Sequence, residues 1–165
     1  MKKKYILNKL TKDGYILLKD IISKNECEKI KKIYKTILKK FKKKTKIKNP
    51  LEDTVYNLHN KHDIFIKYID HKKIINIIKN VLSEGSYGTS DFIILRQTAL
   101  RNPKKGYAQQ LHNDTRISGL RYPLIIQAIW MIDDFTKFNG ATRLVSNSHK
   151  INAFPKYKKN TKKKK

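Results

Sequence analysis

The chain of 165 residues predicts an α+β protein, with helices in its first half and antiparallel strands in its second. Three observations predict it. Apolar residues recur at helical spacing in two stretches before residue 83. From residue 91 short extended runs alternate with turn dipeptides. A Gly/Ser loop over 83–90 separates the two regimes. The length is about that of one domain, read as 1–155 with a lysine-rich tail over 156–165.

The elements follow in order. Asp13-Gly14 is a turn signal, and Tyr15, Ile16, Leu17 and Leu18 read as a short buried strand. Ser23-Lys24-Asn25-Glu26 has the capping-box form, in which hydroxyl and carboxylate satisfy free N–H groups reciprocally. Cys27, Ile30, Tyr34, Ile37, Leu38 and Phe41 then line one face of an amphipathic helix, placing Cys27 as a small buried hydrophobe. Lysines crowd 39–48 and Pro50 follows, which reads as a solvated helix end and loop. Residues 51–62 read as irregular. Residues 64–82 are again helical, with Ile74, Ile75, Ile77, Ile78, Val81 and Leu82 as the apolar face. His59, His62 and His71 read as surface or helix-end residues.

Four strands are expected over 91–97, 107–114, 124–132 and 141–145. The third is apolar nearly throughout, which predicts cover on both sides. Asn139-Gly140 is a strong turn signal before the fourth. Such an arrangement closes as a β-sandwich or barrel.

Composition narrows the function classes. No run reaches the ~18 apolar residues of a membrane span, and the basic start lacks a signal peptide's apolar stretch, so a cytoplasmic protein is expected. Cys27 stands alone, which excludes an internal disulfide and a multi-cysteine zinc site. The net charge of +26 invites a nucleic-acid reading. Yet of 39 basic residues only Arg96, Arg101, Arg116, Arg121 and Arg143 are arginine, leaving 34 lysines. Lysine is a hydrated point charge without the fork that reads bases, and no specific nucleic-acid partner is expected.

The chemistry centres on His112-Asn113-Asp114. In an extended segment, side chains at i and i+2 share a face, so the imidazole and carboxylate converge while Asn113 turns away. A His and an acid side by side are two of the three protein ligands of the 2-His-1-carboxylate arrangement for non-haem Fe(II).

The chain resembles the phytanoyl-CoA dioxygenase family of Fe(II)/2-oxoglutarate-dependent oxygenases. Asp13-Gly14-Tyr15-Ile16 and the helix after it are similar to the family's opening. The run from Gly106 through Gln109-Gln110-Leu111-His112-Asn113-Asp114 resembles its metal segment. The run Gln127-Ala128-Ile129-Trp130-Met131-Ile132-Asp133-Asp134, with Asn139-Gly140-Ala141-Thr142-Arg143 and Ser148-His149-Lys150, resembles the segment that follows. The resemblance implies N-terminal helices packed on a double-stranded β-helix, a jelly roll of about eight strands. It implies His112 and Asp114 as metal ligands, Gln127 in the cosubstrate pocket, and Fe(II), 2-oxoglutarate and O2 as cofactors. The implied reaction hydroxylates a small organic substrate while 2-oxoglutarate becomes succinate and CO2.

Two departures stand out. The family's Pro-Gly-Ser-His turn is Ser146-Asn147-Ser148-His149 here. The family's second iron-binding His and its 2-oxoglutarate-gripping Arg lie on later strands, whereas this sequence has no His after His149 and no Arg after Arg143. The expectation is a truncated member whose jelly roll lacks its last strands, with an exposed sheet edge open to self-association. His149 matches the turn histidine rather than the iron ligand. Asp133 and Asp134 read as strand-end solvating residues. The alternatives are a non-catalytic remnant of the same fold and a cationic nucleic-acid-binding protein.

Overall fold

A computed structural model describes residues 3–44, 54–83, 100–101, 111–114, 125–151 and 153–156. The first helix, α1 (Lys3–Asp13), buries Ile6 and packs against α3 (Lys72–Ser83). No cap or long apolar stripe announces α1 in the sequence. It ends at Gly14, whose N–H bonds to the Leu10 carbonyl at 2.9 Å while φ is +84°, a conformation that suits glycine. The turn expected at Asp13-Gly14 is therefore present. The buried strand expected after it is not: residues 15–18 belong to no strand, and Tyr15 and Leu17 are exposed.

The second helix, α2 (Lys24–Lys44), starts where the capping signal predicts. The Glu26 N–H donates to Ser23 Oγ at 3.2 Å. The reciprocal half of the box is missing, because Glu26 turns its carboxylate to Lys67 and Tyr68. Ile30 and Tyr34 are buried, and Ile33, Ile37, Leu38 and Phe41 pack around them. Cys27 is half-buried, and burial pushes its thiol above the ordinary range, so it packs as a small hydrophobe.

Two 3-10 turns, Leu58–Asn60 and Asp63–Tyr68, supply the other wall of this core through Leu58, Phe65 and Tyr68. The apolar stretch expected as one helix over 64–82 is thus broken. Its first part is the tighter 3-10 turn, capped by His62 Nδ1, which accepts from the Ile64 N–H at 3.1 Å, and α3 follows. Val55, fully buried on β1 (Thr54–Val55), closes the core from below; β1 pairs antiparallel with β2 (Leu100–Arg101), Thr54 opposite Arg101.

Residues 125–132 complete the core without forming a ladder among the described residues. Exposure alternates along them except at Ala128, which is exposed. Ile125, Gln127, Ile129 and Met131 are exposed, while Ile126, Trp130 and Ile132 are half-buried. Among the described residues the cover reaches one side only, through Ile126, Trp130 and Ile132. Trp130 meets Tyr68 edge-on at 5.0 Å and His71 at 5.3 Å between ring centroids. Asp133 then pairs with Lys31 of α2 at 2.7 Å. The expected strand over 91–97 and residues 107–110 lie outside the described residues, as does the lysine tail over 157–165. Residues 141–145 form no ladder among the described ones.

His59 and His71 depart from the surface placement expected of them. Both are half-buried, with Nδ1 atoms shielded from water and without a hydrogen-bond partner among the described residues. The 3-10 turn and the Trp130 docking draw them inward.

Two outcomes follow from this packing. Trp130→Ala removes an aromatic body from the core edge and lowers unfolding free energy by about 3 kcal/mol, read by chemical denaturation. Gln127→Ala, on the exposed row, changes it by less than about 0.5 kcal/mol. The Glu26 carboxyl is held below the usual carboxylate range by the bonds from Lys67 and Tyr68. Its stabilisation is complete above the ordinary carboxylate pKa and lost as pH falls through the depressed folded value. Thermal melts of Glu26→Gln therefore fall less steeply than wild type over that acid window.

Candidate metal centre

Residues 111–114, the described end of the strand expected over 107–114, belong to no helix and no strand, and the backbone bends at Asp114. The His112 Nε2 stands 3.6 Å from Asp114 Oδ1, with the two side chains 45% and 43% exposed. The imidazole and the carboxylate therefore lie close together. One cation held about 2.1 Å from each donor spans such a gap, and a neutral imidazole beside a carboxylate suits a divalent first-row metal. The donor set fits the expected ion as far as these two residues go. Among the described residues no group of three His, Cys, Asp or Glu side chains could hold a metal.

The other four histidines form no metal-holding group with this pair among the described residues. His62 caps a 3-10 turn, His71 lies against Trp130, and His59 sits half-buried beside Leu58. His149 has a structural task at the other end of the chain. Its Nε2 is 3.1 Å from the Thr11 carbonyl, and its ring covers Gly14 so closely that a Cβ there would collide with it. The Asn147 N–H donates to the Asp13 carbonyl at 3.0 Å. Together these bonds satisfy carbonyls that the end of α1 leaves open.

Residues Ser146-Asn147-Ser148-His149 form a turn without Pro or Gly. Asn147 takes φ 64°, ψ 1°, the left-handed conformation that glycine adopts freely and asparagine tolerates better than other residues. The Ser148 N–H bonds back to the Val145 carbonyl at 3.2 Å, and the 3-10 turn Ser148–Lys150 follows.

Gln127 is exposed on the same row as Ile129 and Met131. Trp130 and Ile132, pointing the other way, are committed to the core. This leaves the Gln127 row as the one available to a ligand. Asp133 is tied to Lys31, and Asp134 offers its carbonyl to the Asn139 side-chain amide. That amide also accepts from the Thr136 N–H at 2.8 Å, closing the turn expected at Asn139-Gly140, where Gly140 has φ +83°.

Sequence reasoning missed the polar seam of Glu26, Lys67, Tyr68 and His71 under Trp130. The phenol of Tyr68 is pushed well above its ordinary pKa, first by burial and then by Glu26, and so remains a donor. Glu26 and Tyr68 are 42 positions apart, and Glu26 already had a local explanation as a capping residue.

The family model for phytanoyl-CoA dioxygenase (PhyH) matches residues 10–165, nearly the whole chain. Neither a curated protein nor a solved structure matches it.

The turn at Asn147 yields a direct check. Asn147→Gly leaves stability within about 0.5 kcal/mol, whereas Asn147→Val costs about 1–2 kcal/mol because a branched Cβ disfavours left-handed backbone. Urea denaturation midpoints distinguish the two.

Proposed function

The chain belongs to the phytanoyl-CoA dioxygenase family, and we propose that it acts as an Fe(II)/2-oxoglutarate-dependent dioxygenase on a small organic substrate. The observation that carries this reading is the convergence of His112 and Asp114 inside the matched region. His112, through Nε2, and Asp114, through Oδ1, would hold the iron. When bound, the iron supplies the redox chemistry that couples decarboxylation of 2-oxoglutarate to hydroxylation of a substrate C–H bond.

The chain's own residues contribute placement. Asp114 offers negative charge beside the imidazole, which offsets part of a divalent ion's charge. Gln127, with donor and acceptor on one amide, suits the polar end of the cosubstrate, and Ile129 and Met131 offer apolar contact to a substrate. The jelly roll implied by the resemblance belongs to the same proposal, with 107–114 and 124–132 as two of its strands. No described helix is long and apolar enough to cross a membrane.

A second reading, a non-catalytic member of the family, is favoured by the exposure of the pair: the His112 and Asp114 side chains are 45% and 43% exposed, so water competes for a cation held there. Incubation with Fe(II), O2 and 2-oxoglutarate separates the two. The dioxygenase releases succinate, and His112→Ala and Asp114→Ala each reduce the release at least about 100-fold while leaving the melting temperature within a few degrees. Absence of succinate together with absence of iron retention assigns the non-catalytic reading.

A further inference from the structure

We propose that the outer face of α2 is a docking surface for the phosphodiester backbone of duplex nucleic acid, bound without regard to sequence. Lys29, Lys32, Lys35, Lys39 and Lys40 are all exposed along this helix. At 3.6 residues per turn they fall within an arc of roughly 140°, and the stretch from Lys29 to Lys40 rises about 16 Å. The opposite arc holds Ile30, Ile33, Tyr34, Ile37, Leu38 and Phe41, which are committed to the core. The fold therefore fixes which way the lysines face.

Ion pairing leaves the outward row of α2 unused. The ion pairs of the described residues engage Lys9, Lys31 and Lys67, on Asp13, Glu28 with Asp133, and Glu26. None of the five outward lysines is in them. The one acid on this arc of α2, Glu28 just before Lys29, is engaged by Lys31, and from residue 29 to residue 51 the sequence contains no Asp or Glu. A row of unneutralised cations over three turns of a rigid rod attracts a polyanion whose charges are themselves regularly spaced.

The residue types favour nucleic acid over a lipid surface. An interfacial helix needs a free apolar face to insert, and here that face is buried. Between the five lysines the exposed arc carries Thr36 and no aromatic or aliphatic side chain. Lysine ammonium groups on flexible stems meet phosphates as point charges without reading base edges, and an α-helix fits the ~12 Å major groove.

The test uses the full chain and fluorescence anisotropy with mixed-sequence duplex DNA over a salt series. A quadruple variant, Lys29→Gln, Lys32→Gln, Lys35→Gln and Lys39→Gln, is compared with a control of equal charge loss, Lys3→Gln, Lys4→Gln, Lys72→Gln and Lys73→Gln. The α2 variant weakens binding at least about tenfold, and its slope of log affinity on log salt is shallower by about 3 to 4, near 0.9 per lost contact. Arginine at the same four positions retains binding, and the control changes it less than about threefold. Equal losses in the α2 variant and the control overturn the proposal, as does tighter binding to phosphatidylserine vesicles than to DNA at matched anion concentration. Circular dichroism of each variant establishes that the helices persist.

Discussion

The seating of Trp130 against Tyr68 and His71 is the contact on which the described architecture depends. One side of it is built from α2 and the 3-10 turns, close in sequence and able to collapse early. The other arrives from more than sixty residues downstream. Without it, the segment carrying Gln127 has no reason to lie on the helical layer. The residues flanking Trp130 reinforce the joint by different physics: Ile132 adds apolar contact, and Asp133 adds an ion pair with Lys31. The pair is exposed on its acidic side and contributes little energy. Its effect is on direction, because it fixes where the segment leaves the core.

This joint also divides the segment's two faces between tasks. Trp130 is spent on structure, so the intervening exposed residues are the ones that can meet a ligand. A single aromatic residue thereby decides which of two alternating rows is structural. The polar seam beneath it adds a requirement. Glu26 must stay ionised and Tyr68 protonated for the half-buried bond between them to persist, and the shifts of both groups run in those directions.

Local signals were legible where their causes are local. The start of α2, the turn at Gly14 and the turn at Gly140 each rest on a cap or a backbone preference within a few residues. The closeness of His112 and Asp114 is legible for the same reason, since the two lie only two positions apart. What could not be read depends on distant partners. The helix α1 has too little apolar periodicity to announce itself and is held by α3. The single helix expected over 64–82 breaks because Phe65 and Tyr68 must both reach the core under α2, which the tighter 3-10 turn allows. Likewise His59 and His71 look like surface residues in sequence and are drawn in by tertiary contacts.

The closure of α1 by His149 joins atoms 138 positions apart. On a ribosome adding about 5–20 residues per second, the first helix waits on the order of ten seconds for the residue that covers its end. During synthesis its terminal carbonyls face water or whatever chaperone is at hand. Packing on α3 can hold the helix's side early, whereas the cover of its C-terminal end comes only with nearly the last described turn.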